Sequence, residues 1–83
     1  MSGQKKPSAL EPVVRNPAQL GSGLLRFRKQ DAWTQQQAGE RSGIKQSIVS
    51  QVESGKPGTR LGTLFKLLAS LDLELVLRKR RTT

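Results

Sequence analysis

Apolar side chains recur along this chain at two spacings, and the change from one to the other sets out its elements. Leu20, Leu24 and Phe27 stand at i, i+4 and i+7 and form the buried stripe of a first helix. Asn16-Pro17 opens that helix, with Asn as cap and Pro where no N–H is needed, and Arg28 and Lys29 close it where the helix dipole favours cations. Gly21 and Gly23 weaken it somewhat. From Thr34 to Gly55 the pattern predicts two short helices around a tight turn. Thr34 caps the first, Gly43 ends it in the left-handed conformation, and the second starts near Lys45. Ala38 and Gly39 are small enough for another helix to cross closely, while Ile44, Val49 and Val52 supply the apolar face. At about 100° per residue, Ser47, Ser50, Gln51 and Ser54 fall on the opposite face, with Gln46 at its boundary.

Ser54 to Arg60 reads as a loop rich in Gly, Pro and Lys. The next helix is clear. Leu61, Leu64, Phe65, Leu67, Leu68 and Leu71 make an apolar stripe too wide for one small partner face, so packing against both the domain core and a second chain is expected. The period then shortens to two: Leu73, Leu75 and Leu77 alternate with Glu74, Val76 and Arg78, as along a strand. No other stretch looks like a strand, so its backbone groups are most simply satisfied by the same strand of another copy about a two-fold axis. Continuation of the helix to the end of the chain is the competing expectation.

Composition narrows the chemistry. The 83 residues allow one domain, and chains this small bury only about 60% of their unfolded surface, so a monomer is expected to be marginal. Fifteen Lys and Arg against six Asp and Glu give a formal charge of +9, which attracts a polyanion, nucleic acid before an anionic membrane. No apolar run approaches a spanning helix, and the N-terminus has no signal-peptide core, so a non-exported, soluble protein is expected. The chain has no Cys, His or Tyr, which removes thiolate and imidazole metal ligands and the usual general base. Gly21-Ser22-Gly23 and Gly55-Lys56-Pro57-Gly58 are not phosphate loops. No catalytic residue, metal site, cofactor or small-molecule substrate is expected.

With Thr34-Gln35 opening one helix, Gly43 at the turn, Ser50 midway along the next helix and Glu53 before Ser54-Gly55, the segment resembles the helix-turn-helix of the Cro/phage-repressor (XRE) family. It departs at Ala38 and Gly39, where the family usually has Leu and Ala. Together with Gly43-Ile44-Lys45-Gln46, the helix from Thr63 to Leu71 and the strand from Leu73 to Leu77, the pattern is most similar to the HipB antitoxins over roughly residues 16 to 78. The resemblance implies an all-α, lambda-repressor-like bundle of four to five short helices with one C-terminal strand pairing across a homodimer. It further implies a repressor of its own operon, in the bacterial cytoplasm and on the nucleoid, that binds a HipA-like serine/threonine kinase toxin. An Arg28 to Glu53 pair is implied as architecture, and Lys56, Thr59 and Arg60 as phosphate contacts. The family's Ser or Thr cap before the last helix is replaced by Arg60, so that helix is expected to start raggedly or to be capped by Thr59 or Thr63. A free-standing XRE repressor, and an interaction module that mainly inhibits an enzyme, stay open beside the antitoxin reading.

A dimer of this kind places two recognition helices in successive major grooves of a palindromic operator, about 34 Å apart. Gln46 suits the adenine N6 and N7 pattern and Lys45 guanine O6 and N7, while Ser47 and Ser50 reach base edges or phosphates. Ile48 either packs inward, the preferred reading, or touches a thymine methyl. Thr34, Gln35 and Gln51 are assigned to the phosphates, the first two with help from free N–H groups at a helix start. Trp33, the only tryptophan, is read as a staple onto the core and not as a base-stacking platform. Leu71, Leu73, Leu75 and Leu77 are the expected dimer contacts. The organisation is then a disordered basic arm over 1–15 that includes Lys5, Lys6 and Arg15, a DNA-binding domain over 16–71, a dimerisation strand over 72–78 and a basic tail over 79–83.

Overall fold

A computed structural model describes residues 12–80, so most of the expected N-terminal arm and the last three residues of the tail lie outside the described residues. Among the described residues four helices follow one another: α1 Pro17–Gln30, α2 Gln35–Ser42, α3 Gln46–Glu53 and α4 Leu61–Ser70. α3 packs on both α1 and α2, and α4 packs on α2.

Local chemistry accounts for most of the boundaries. The Asn16 side chain accepts the Gln19 N–H at 2.8 Å, and Pro17 begins α1. Thr34 and Gln37 form a reciprocal capping box, Thr34 Oγ1 accepting the Gln37 N–H at 3.0 Å and Gln37 Oε1 accepting the Thr34 N–H at 2.8 Å. Gly43 ends α2 with φ of 74°, a left-handed conformation that costs a residue without Cβ little. α4 begins at Arg60 with no side-chain cap, so neither Thr59 nor Thr63 fills that role.

Leu24, Ala38, Val49, Val52, Leu64, Leu67, Leu68 and Leu71 are the buried apolar core, one contribution or more from every helix, and Leu20, Trp33, Ile44, Ile48 and Leu73 pack against it. Gly21 is buried where α1 meets the end of α3, and a Cβ there would lie 2.6 Å from the Glu53 carbonyl oxygen. Its role is therefore close helix approach, and the modest helix weakening expected from the sequence is secondary. Gly39 serves the α2–α3 turn in the same way, since a Cβ would come within 2.7 Å of the Ile44 carbonyl oxygen.

At the C-terminal end the competing expectation of a continued helix needs correction. The helix does not continue to the terminus. Leu71 caps it, Asp72 turns left-handed with φ of 58°, and the Leu73 N–H returns to the Leu68 carbonyl at 2.8 Å. Residues 73–80 carry neither helical turns nor a sheet ladder, for the physical reason that no second strand exists among the described residues to pair with them. Leu71, expected at an interface between copies, is enclosed in the protomer's own core. In the C-terminal part of the chain the exposed large apolar side chains are instead Leu75, Val76 and Leu77 of the tail together with Leu61 and Phe65 of α4, Leu61 at 70% and Phe65 at 50% exposure.

Candidate nucleic-acid interface

α3 is two turns long and strongly sided. Val49 and Val52 are buried, Ile48 is half-buried against the core, and Gln46, Ser47, Ser50 and Gln51 are exposed together on the other side. Lys45 stands exposed at the N-cap position, and its carbonyl accepts the Ile48 and Val49 N–H groups. No side chain caps this helix start. The face thus presents one cation, two carboxamides and two hydroxyls with no carboxylate among them, a donor-rich set matched to the acceptors of a major groove. Ser54 does not extend it, because its hydroxyl turns back to the Gln51 carbonyl at 2.9 Å.

One ion pair locks the end of α3 to its neighbours. Arg28 Nε and Nη2 donate to the two carboxylate oxygens of Glu53 at 2.5 and 2.9 Å, the bidentate geometry that suits a guanidinium. The resemblance implied this pair. Its other two partners have no sequence signal: Arg28 Nη1 donates to the Trp33 carbonyl at 2.6 Å, and Gln35 Nε2 donates to Glu53 Oε1 at 3.0 Å. The Glu53 hydrogen bond raises the Arg28 guanidinium above its ordinary value, and burial opposes that rise. Arg28 is nearly buried and Glu53 well covered, so all their polar atoms need such partners, and no buried side-chain polar atom among the described residues is left without one.

Because Gln35 opens α2 and Glu53 ends α3, their contact brings the first turn of α2 beside the loop that starts at Ser54. Lys56 and Arg60 are exposed in that loop, and Thr59 is half-buried. Thr34 is exposed, although its hydroxyl oxygen already serves the cap. Trp33 packs against the core as expected, and the Arg41 guanidinium lies over its ring, 4.0 Å from the centroid. That stacking pairs residues eight positions apart through the fold, which no motif announces. No helix among the described residues is long and apolar enough to cross a membrane.

Residues 24–77 match the helix-turn-helix family HTH_3. The chain is 38% identical over 64 residues to Antitoxin HipB of Escherichia coli strain K12, a span of 77% of this chain and 73% of that protein. Among solved structures, a chain of the HipA-HipB-O2-O3 complex superposes with a TM-score of 0.79 at 34% identity, covering 84% of this chain and 99% of that one. A chain of the HipB-O4 20mer complex matches with the same TM-score, identity and coverage.

Proposed function

This chain belongs to the helix-turn-helix family HTH_3 and, within it, to the HipB antitoxins, and from that premise we propose that it is a sequence-specific DNA-binding repressor and antitoxin of a HipBA-type module. It binds its own operator and neutralises a HipA-like kinase toxin in the bacterial cytoplasm, without catalysis of its own. The observation that carries the DNA-binding half is the exposed, carboxylate-free face of α3, held against the core by Val49 and Val52.

In this reading Lys45, Gln46, Ser47 and Ser50 read base edges, Gln46 by paired hydrogen bonds to adenine and Lys45 to guanine. Thr34, Gln35, Gln51, Lys56, Thr59 and Arg60 hold phosphates and set the register of the helix in the groove. The loop cations are exposed and near the start of α2, which favours that division of labour. Two copies associate through residues 73–77 paired as an antiparallel ribbon, with Leu73, Leu75 and Leu77 as its apolar side. An exposure of 90% at Leu77 supports a covering partner, because a leucine so placed at the end of a small domain leaves its surface to water. One of the solved structures is a HipA-HipB-O2-O3 complex, and an assembly of this chain with a HipA-like toxin on its operator DNA is proposed by analogy.

Affinity capture of the tagged protein from its host, at low and at high salt, tests the whole reading. A kinase retained at high salt, with a palindromic DNA sequence near this protein's own promoter, is the expected result. Recovery of the palindrome without any protein partner would reduce the function to repression alone.

A further inference from the structure

We infer that Glu53, which faces no DNA in the proposed complex, is a positioning residue for phosphate binding: it fixes the amide of Gln35 so that one N–H points to the DNA backbone. The inference rests on the assignment of Gln35 to a phosphate made above and adds the group that aims it.

The chemistry of the contact determines which way the amide faces. An ionised carboxylate only accepts hydrogen bonds, so the Gln35 side chain must turn its nitrogen and not its oxygen towards Glu53. Nε2 lies 3.0 Å from Glu53 Oε1. One of its two hydrogens is thereby engaged, the amide plane is set, and the second N–H remains a donor at the first turn of α2, where backbone N–H groups also favour an anion. A solvated glutamine would sample its rotamers and both amide faces. Gln35 is half-buried and tethered, so that freedom is removed before DNA arrives.

Glu53 is itself immobile. Both its oxygens are held by Arg28, whose remaining Nη1 donates to the Trp33 carbonyl at 2.6 Å, immediately before the α2 cap. The carboxylate therefore ties the last residue of the reading helix to the first residue of the helix that grips the backbone. Phosphate grip and base reading are fixed in one frame.

The test compares the wild type, Gln35→Ala, Glu53→Gln and the double variant, each titrated with a short duplex of random sequence at low salt, where backbone contacts dominate. Thermal unfolding confirms which variants are folded. Gln35→Ala is expected to lose about tenfold in affinity, the scale of one hydrogen bond to a charged group. Glu53→Gln, whose amide no longer compels the orientation, should lose several-fold, and the double variant should bind within about twofold of Gln35→Ala alone. Losses that multiply in the double variant would overturn the inference by showing that Glu53 acts through the fold and not through Gln35. No loss in Gln35→Ala would overturn the phosphate assignment itself, a separate and recognisable failure. Should Glu53→Gln not fold, the side-chain amide signals of the free wild-type protein decide. Slowed proton exchange and restricted motion at Gln35 Nε2, compared with exposed Gln46 and Gln51, are expected, and signals like theirs would overturn the tether.

Discussion

At the scale of single residues, the proposal divides the exposed groups of α3 and its following loop into those that distinguish bases and those that hold phosphate, and the two classes predict different measurements. Gln46→Ala should cost about 1 to 3 kcal/mol on a duplex selected from a random pool and little on unselected DNA, because only the former offers it a matched adenine edge. Equal losses on both would take Gln46 out of base reading. Lys56→Ala should weaken both kinds of DNA and lower the slope of log affinity against log salt by about one unit, the signature of one neutralised phosphate. An unchanged slope would place Lys56 in solvent in the complex. The exposure of the α3 face was legible in the sequence, because it follows from the helical period once Val49 and Val52 are taken as buried. The hydrogen bond between Gln35 and Glu53 was not legible, since eighteen positions separate them and either residue alone reads as an ordinary polar group.

Among elements, the α1–α3 contact has the narrowest tolerance. Gly21→Ala would gain up to about 1 kcal/mol of helix propensity in α1. It would also drive a methyl group into the carbonyls that end α3, an overpacking cost of about 1 to 3 kcal/mol with backbone as the obstacle. The second effect wins, so the variant should unfold at a lower denaturant midpoint than the wild type, and an equal or higher midpoint would mean that α3 retreats freely. The sequence shows the helix that Gly21 belongs to but not the helix that crosses it, because that contact joins residues about thirty positions apart. By contrast, the ends of α1 and α2 could be placed in advance because Asn16-Pro17, Thr34 and Gly43 act on their immediate neighbours. Arg60, which supplies no side-chain cap, showed the limit of that logic at the start of α4: the helix forms there because Leu64, Leu67 and Leu68 are buried.

For the whole molecule, the exposed apolar end calls for a covering partner. The proposed second copy, joined through residues 73–77, would account for Leu75 and Leu77, and Leu75→Arg would place a charge within that ribbon. Sedimentation of this variant should show a monomer that retains the helical circular dichroism of the wild type; a persistent dimer would exclude the ribbon. The alternation of Leu73, Leu75 and Leu77 signalled a strand, yet pairing is a property of two chains, and one chain's sequence cannot show its partner. The bundle around it was easier to foresee, because each of its helices completes its own hydrogen bonds and needs its neighbours only for burial.

The stacking of Arg41 on Trp33 gives this protein a built-in optical label. With one tryptophan in the chain, all indole emission comes from a single place, the junction of α1 and α2. That place adjoins the peptide carbonyl held by Arg28 and the residue that caps α2, so it lies one step from the proposed phosphate contacts. Emission from Trp33 would therefore follow the proposed seating of α2 on DNA without an attached dye, and report a shift of that junction.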